Sequence, residues 1–329
     1  MDKPQEEMQE LGFFGIYKET FKTILEWKKI FTQITLSFIL PLSFIFILHY
    51  VIADLLDWNI YHAEERVDNS NTYNHHLYHK LSSAWIGYWV FKLIFMSLLL
   101  LFSLLSTAAI VYTIAEMYTG NEVTFKKVLK IVPTVWKRLA LTFLWSYFGF
   151  FVYNVVTGVV FMIWYTTTNL DGVLSDVMFW IIFVMYWIGL IYITVLWQLA
   201  SVVTVLEGSS GIQAVLKSNA LIKGKRWLSW FIFFVLYIIF VGDLFLFFAF
   251  MSYGFINLIV GIVSVFILMN VFLLGYVAQT MLYLVCKSYH SEPIDKAGLS
   301  SQLGGYLGEF EPSSKANNDI QLGQPQFQV

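Results

Sequence analysis

VMFWIIFVMYWIGLIYITVLWQLASVVTV, residues Val177–Val205, contains no charged side chain. A helix of this length rises further than the ~30 Å hydrocarbon core of a bilayer. Five other runs read the same way: Ile30–Ala53, Leu93–Ala115, Leu139–Tyr165, Trp227–Phe250 and Ile256–Val285. Aromatic residues with a polar edge recur at the ends of the runs (Tyr50, Trp85, Trp89, Trp164, Tyr165, Trp180, Trp227, Trp230), as in an interfacial belt. Six spans in one chain predict an all-α integral membrane protein, a six-helix transmembrane bundle.

Composition agrees. The 329 residues are 58% hydrophobic and 13% charged, against about 25% charged in an average soluble domain. A net charge of −2 gives no footing for nucleic-acid binding. The single cysteine, Cys286, excludes a disulfide framework within one chain. Residues 1–29 are too densely charged for a cleavable signal peptide, so the first span is expected to act as an uncleaved signal-anchor.

The cations fix the expected topology. Seventeen of the twenty Lys and Arg lie before the first run, in every second loop, or after the last run. Only Arg66, Lys80 and Lys92 lie on the other side. The positive-inside rule then puts both termini in the cytosol. The endoplasmic reticulum and the plasma membrane are the membranes expected.

Three of the basic clusters share a layout. Phe14, Tyr17, Phe21, Ile24 and Leu25 precede Trp27-Lys28-Lys29. Phe125, Val128, Leu129 and Val132 precede Trp136-Lys137-Arg138, with Thr124 as N-cap and Pro133 bending or ending the helix. Ile212, Val215 and Leu216 precede Lys225-Arg226-Trp227, with Ser210 as cap and Gly224 as stop. The spacings predict amphipathic interfacial helices on the cytosolic face before spans one, three and five. Either the unit is a parallel internal repeat, or it is the ordinary basic loop of a hairpin membrane protein.

Leu104–Gly120 (LLSTAAIVYTIAEMYTG) with Val128–Arg138 (VLKIVPTVWKR), Val202–Trp227 (VVTVLEGSSGIQAVLKSNALIKGKRW) and Ser288–Phe310 (SYHSEPIDKAGLSSQLGGYLGEF) carry a resemblance. Together they resemble an uncharacterised family of plant six-pass membrane proteins. The Val202–Trp227 stretch is also similar to the membrane domain of some bacterial glycerophosphodiester phosphodiesterases. The phosphodiesterase catalytic domain has no counterpart here, so the resemblance implies a plant membrane protein and no enzyme activity.

Few residues suggest chemistry. His75 and His79 would share a helix face, but two ligands make no metal site unless His62 or an acid among Glu64, Glu65 and Asp68 folds back. Lys92 and Asp243 are the charges well inside span boundaries, at matching depth. They are expected to form an intramembrane polar cluster with Asn154, or else Lys92 snorkels to the surface and Asp243 sits at a frayed helix. Glu116 and Glu207 end spans two and four, each facing a basic cluster. Asn270, Gln198 and Gln279 read as interhelical hydrogen bonds. No catalytic constellation and no cofactor site emerges.

Three domains are expected: a cytosolic segment 1–29, a membrane domain 30–286, and a cytosolic tail 287–329 that is disordered beyond about 312. The function expected is non-enzymatic: a membrane scaffold or lipid-interacting component. Its partners are the bilayer and anionic lipids of the cytosolic leaflet, met by Lys28, Lys29, Lys137, Arg138, Lys225 and Arg226. The alternative is a transporter or channel with a polar path near Lys92, Asn154 and Asp243.

Overall fold

The computed structural model describes residues 9–69, 75–120, 123–167, 173–250 and 255–290, and no strand occurs among them. The expected disordered tail lies outside the described residues. A short helix α1 (Phe13–Glu26) comes first. After Trp27, α2 (Lys28–Ile34), a π turn (Thr35–Ile39) and α3 (Leu40–Asp68) follow without a break. Then come α4 (His75–Thr119), α5 (Phe125–Thr167), α6 (Val173–Glu207), α7 (Ile212–Ile222), α8 (Arg226–Phe250) and α9 (Phe255–Tyr289). Six helical stretches are long and apolar enough to cross a membrane: Lys28–Val67, His75–Thr119, Phe125–Thr166, Ser175–Glu207, Arg226–Phe250 and Leu258–Tyr289.

The π turn has a local cause. Pro41 sits in the first turn of α3 and offers no N–H, so one backbone bond is missing where the first span should be regular. Widening the preceding turn absorbs the mismatch. The Ser43 hydroxyl donates to the Ile39 carbonyl at 2.9 Å in the same turn.

Three local expectations are corrected. The connection between the first two apolar runs, expected as a loop from the gap between Ala53 and Leu93, is helical over most of its length, since α3 and α4 continue through it. The 40-residue stretch Lys28–Val67 is about 60 Å long, twice the hydrocarbon thickness. A helix saturates its own backbone wherever it lies, and neighbours one turn apart such as His62 Nδ1 and Glu65 Oε2 (3.3 Å) support it. Of the two expectations for Pro133, ending the helix is overturned: α5 runs through it. Val128, Ile131, Val132 and Val135 are buried on either side of the exposed proline, and that burial outweighs one missing bond. At α7 the N-cap is Gly211, not Ser210. Its φ of +63° suits glycine, and its N–H is taken by Thr142 Oγ1 at 2.9 Å.

The larger core is gathered at one end of the bundle, and a smaller cluster of Ile47, Phe247 and Leu268 lies apart from it. The larger core combines Leu104–Tyr118 of α4, Val128–Leu139 of α5, Val195–Leu206 of α6 and Val277–Cys286 of α9, with α1 and α7 packed onto it. All three basic clusters lie at this end. At the far end, side chains such as Phe148, Met162, Phe245 and Ile262 point outward.

Candidate functional site

The three leading segments bury one face and present another. On α1 the buried face is Ile16, Thr20 and Thr23. Tyr17 donates its hydroxyl to the Ile232 carbonyl of α8 at 2.8 Å, and burial pushes its phenol up to about 12. Phe14, Phe21 and Leu25 are exposed, with Lys18 and Lys22 beside them on the helix surface. In α5 the inward residues are Val128, Ile131, Val132 and Val135, while Leu129 and Trp136 face out. On α7 they are Ala214, Ser218, Leu221 and Ile222, while Ile212 and Leu216 face out. Apart from Leu221, the inward residues named are small, β-branched or polar; the outward ones are bulky and apolar.

Neither α1 nor α7 is a separate surface helix. The Ser218 hydroxyl donates to Leu196 O at 3.0 Å, and Tyr192 donates to Asn219 Oδ1 at 2.8 Å. These partners lie eleven and fifteen residues before the end of α6, so α7 turns back along it.

Each segment ends in a tryptophan beside a basic pair. Trp27 is 37% exposed, Trp136 43% and Trp227 82%. Lys28, Lys29, Lys137, Arg138 and Arg226 are exposed next to them. Lys225 differs. Its ammonium donates to Gln9 O at 2.9 Å and lies 5.3 Å from the centre of the Tyr289 ring, while Gln9 Nε2 donates to Ser288 O at 2.6 Å. Gly224, at φ +96°, makes that approach possible, because a Cβ there would fall 2.4 Å from Tyr289 Cε1. Lys225 therefore ties the start of the described chain to its end.

Glu207 is the hub of the same end. It takes an ion pair from Lys217 of α7, one from Lys287 of α9 at 2.9 Å, and a hydrogen bond from the Tyr283 hydroxyl at 2.5 Å. Lys217 belongs to the basic cluster that follows Glu207 in sequence; Lys287 and Tyr283 come from the last span. Spacing could have flagged them, since Tyr283 and Lys287 are four apart on the final turns of α9. Glu116 is buried at the end of α4.

Lys92, Asn154 and Asp243 are held by three different pairs of helices. The Lys92 ammonium lies 5.2 Å from the centre of the Tyr88 ring and near His49 of α3. Asn154 accepts from the Tyr186 hydroxyl of α6 at 3.1 Å. Asp243, only 4% exposed, is hydrogen-bonded by Ser264 of α9. No hydrogen bond or ion pair joins any two of the three among the described residues. Of the other span amides, Asn270 is exposed and bonds its own helix at Phe266 O (2.8 Å). Among the described residues no group of three or more His, Cys, Asp or Glu is arranged to hold a metal ion.

A cavity of about 280 Å³ lies between α4, α5, α6, α8 and α9. Its lining includes Ser103, Thr107, Trp197, Ser201, Tyr276 and Gln279, and nothing in the sequence pattern pointed to it.

The chain belongs to the DUF8558 family, a domain of unknown function, whose match covers residues 1–325. No curated protein and no solved structure matches it.

Proposed function

We propose that this is a non-enzymatic multi-pass membrane protein whose basic end engages anionic lipid headgroups on the cytosolic leaflet. The carrying observation is the threefold recurrence of an exposed tryptophan beside exposed cations: Trp27 with Lys28 and Lys29, Trp136 with Lys137 and Arg138, Trp227 with Arg226. An indole prefers the headgroup level, and each surface cation adds about 1 kcal/mol of attraction to an anionic leaflet. The outward Phe14, Phe21, Leu25, Ile212 and Leu216 supply apolar contact at the same level. The asymmetry of basic residues supports the cytosolic side. Lys225, committed to Gln9 and Tyr289, is a structural cation in this reading.

The test is lipid enrichment around the full chain reconstituted in mixed phosphatidylcholine and phosphatidylserine vesicles. The wild type is expected to concentrate phosphatidylserine around itself, less so as salt is raised. Replacing Lys28, Lys29, Lys137, Arg138 and Arg226 together by Gln is expected to lower that enrichment at least about tenfold. Equal enrichment in both proteins would remove the proposal.

A further inference from the structure

The last span, α9, is covered unevenly. One side packs on α8 and α3. Gly261 and Gly275 lie against Phe247 and Leu236 of α8, Ser264 holds Asp243, and the Phe272 ring meets Phe46 of α3 with centroids 6.1 Å apart. A helix turns about 100° per residue, so the opposite side carries Ile259, Val263, Phe266 and Asn270. All four are exposed, Ile259 by 51%, Val263 by 50% and Phe266 by 63%. Toward the basic end the same side is closed: Val277, Met281, Leu284 and Ser288 are buried there, and Gln9, just before α1, donates to Ser288 O. The side is therefore open from Asn270 outward.

The depth of Asn270 makes its exposure unusual. It lies fourteen residues after the start of the apolar run Ile256–Val285 and fifteen before its end. At 1.5 Å per residue, either end of the run is about 20 Å away, too far for so short a side chain to reach the headgroups. Gln33 is also exposed, but it lies about one turn from Lys29 at the basic end. Asn154 is met by Tyr186 of α6.

An amide offers two N–H donors and an oxygen with two lone pairs. Nδ2 of Asn270 gives one hydrogen to Phe266 O at 2.8 Å; the second hydrogen and Oδ1 take no hydrogen bond among the described residues. Acyl chains supply neither donor nor acceptor, so lipid leaves that capacity unmet.

We infer that α9 pairs with α9 of a second copy along this side, with Asn270 at the crossing. Two copies inserted the same way are related by a twofold axis along the membrane normal, and a residue beside that axis meets its own counterpart. An amide suits the position because it donates and accepts at once: Nδ2 of each copy donates to Oδ1 of the other. That self-complementarity is what favours a second copy over a partner of different sequence. Ile259, Val263 and Phe266 pack beside the bond. Interhelical amide bonds are individually weak, so the pairing is a reversible equilibrium that dilution in lipid shifts. The inference does not rest on the headgroup surface proposed above, because it uses none of the same residues.

The full chain, carrying a donor or an acceptor dye on an added tag, is mixed in liposomes of phosphatidylcholine alone, which keeps anionic lipid out of the test. Energy transfer is expected to fall along a monomer–dimer curve as lipid is added. Asn270→Leu, close in volume and suited to a lipid-facing helix, is expected to weaken association at least about fivefold. Phe266→Cys, one turn from Asn270, should link two copies by a disulfide on mild oxidation, whereas Val156→Cys, exposed on α5, should not; the native Cys286 is buried and stays silent. Transfer at the random level at every dilution, equal association by wild type and Asn270→Leu, or linking through Val156→Cys as readily as through Phe266→Cys would each overturn the inference. The cysteine measurement leaves Asn270 in place, so it decides even if Asn270→Leu prevents folding.

Discussion

The two ends of the bundle differ in how many helices a polar side chain joins. At the far end, Ser97 donates to Leu93 O, Thr157 to Tyr153 O, Thr166 to Met162 O and Asn270 to Phe266 O, each a bond within one helix. At the basic end, Thr142 meets Thr204 at 2.8 Å and receives the Gly211 N–H, Ser218 reaches α6, and Glu207 joins three helices. A hydroxyl turned onto its own backbone is satisfied but ties nothing together. One turned across an interface fixes the distance and rotation of two helices. The difference teaches where the bundle is tied most densely: at the basic end one carboxylate joins three helices, whereas the far end is joined pairwise, Tyr153 and Asn154 with Tyr186 and Asp243 with Ser264, around a small core of Ile47, Phe247 and Leu268.

The comparison can be broken most severely at Glu207. Glu207→Leu leaves Lys217 and Lys287 near a site built for an anion, and is expected to destabilise the protein by about 3 kcal/mol. That is the low end for a broken buried pair, because Lys217 is partly solvated. Thermal unfolding of the full chain in detergent measures it, and a loss below about 1 kcal/mol would mean that the hub does not hold the end together. Gly224→Ala should cost about 2 kcal/mol by the same measurement, from a positive φ and the adjacent Tyr289 ring. Tyr17→Phe should cost about 1 kcal/mol through the bond to Ile232 O. Its pH signature is sharper. The folded protein holds the Tyr17 proton to about 12, whereas an unfolded chain releases it near 10. The contribution is whole below pH 10 and is lost as pH rises toward 12, so the wild type should lose more stability than Tyr17→Phe over that interval. The smallest effect is expected at the far end. Asn154→Leu removes one bond to Tyr186, worth about 0.6 kcal/mol in a membrane bundle. A loss as large as that of Glu207→Leu would erase the distinction between the ends.

Much of this was legible from the chain. Six apolar runs and the sidedness of the cations follow from residue type alone, and Gly224 as a stop follows from its freedom at positive φ. Pro133 was not legible, because the burial that carries α5 through it comes from α4. The outward turn of Phe14, Phe21 and Leu25 was not legible either. Periodicity finds an apolar stripe, but a second, less apolar face made of Ile16, Thr20 and Thr23 fits the bundle more closely. Depth along a helix is readable in sequence, but rotation about its axis is set by neighbours. Lys92, Asn154 and Asp243 were grouped by depth, and each finds its partner on a different helix. The open side of α9 at Asn270 is invisible without the fold, since what covers a helix is a property of the surroundings.

The tether from Gln9 to Ser288 and Lys225 has a consequence for how the protein is made. The place where α1 docks is built from Ile232 on α8 and the last turns of α9. Those residues leave the ribosome after every earlier span has been synthesised. Helix α1 therefore cannot complete its docking until the last of the described helices has been made. Ile16, Thr20 and Thr23 are the side chains that wait for that docking, whereas Phe14, Phe21 and Leu25 stay exposed before and after it.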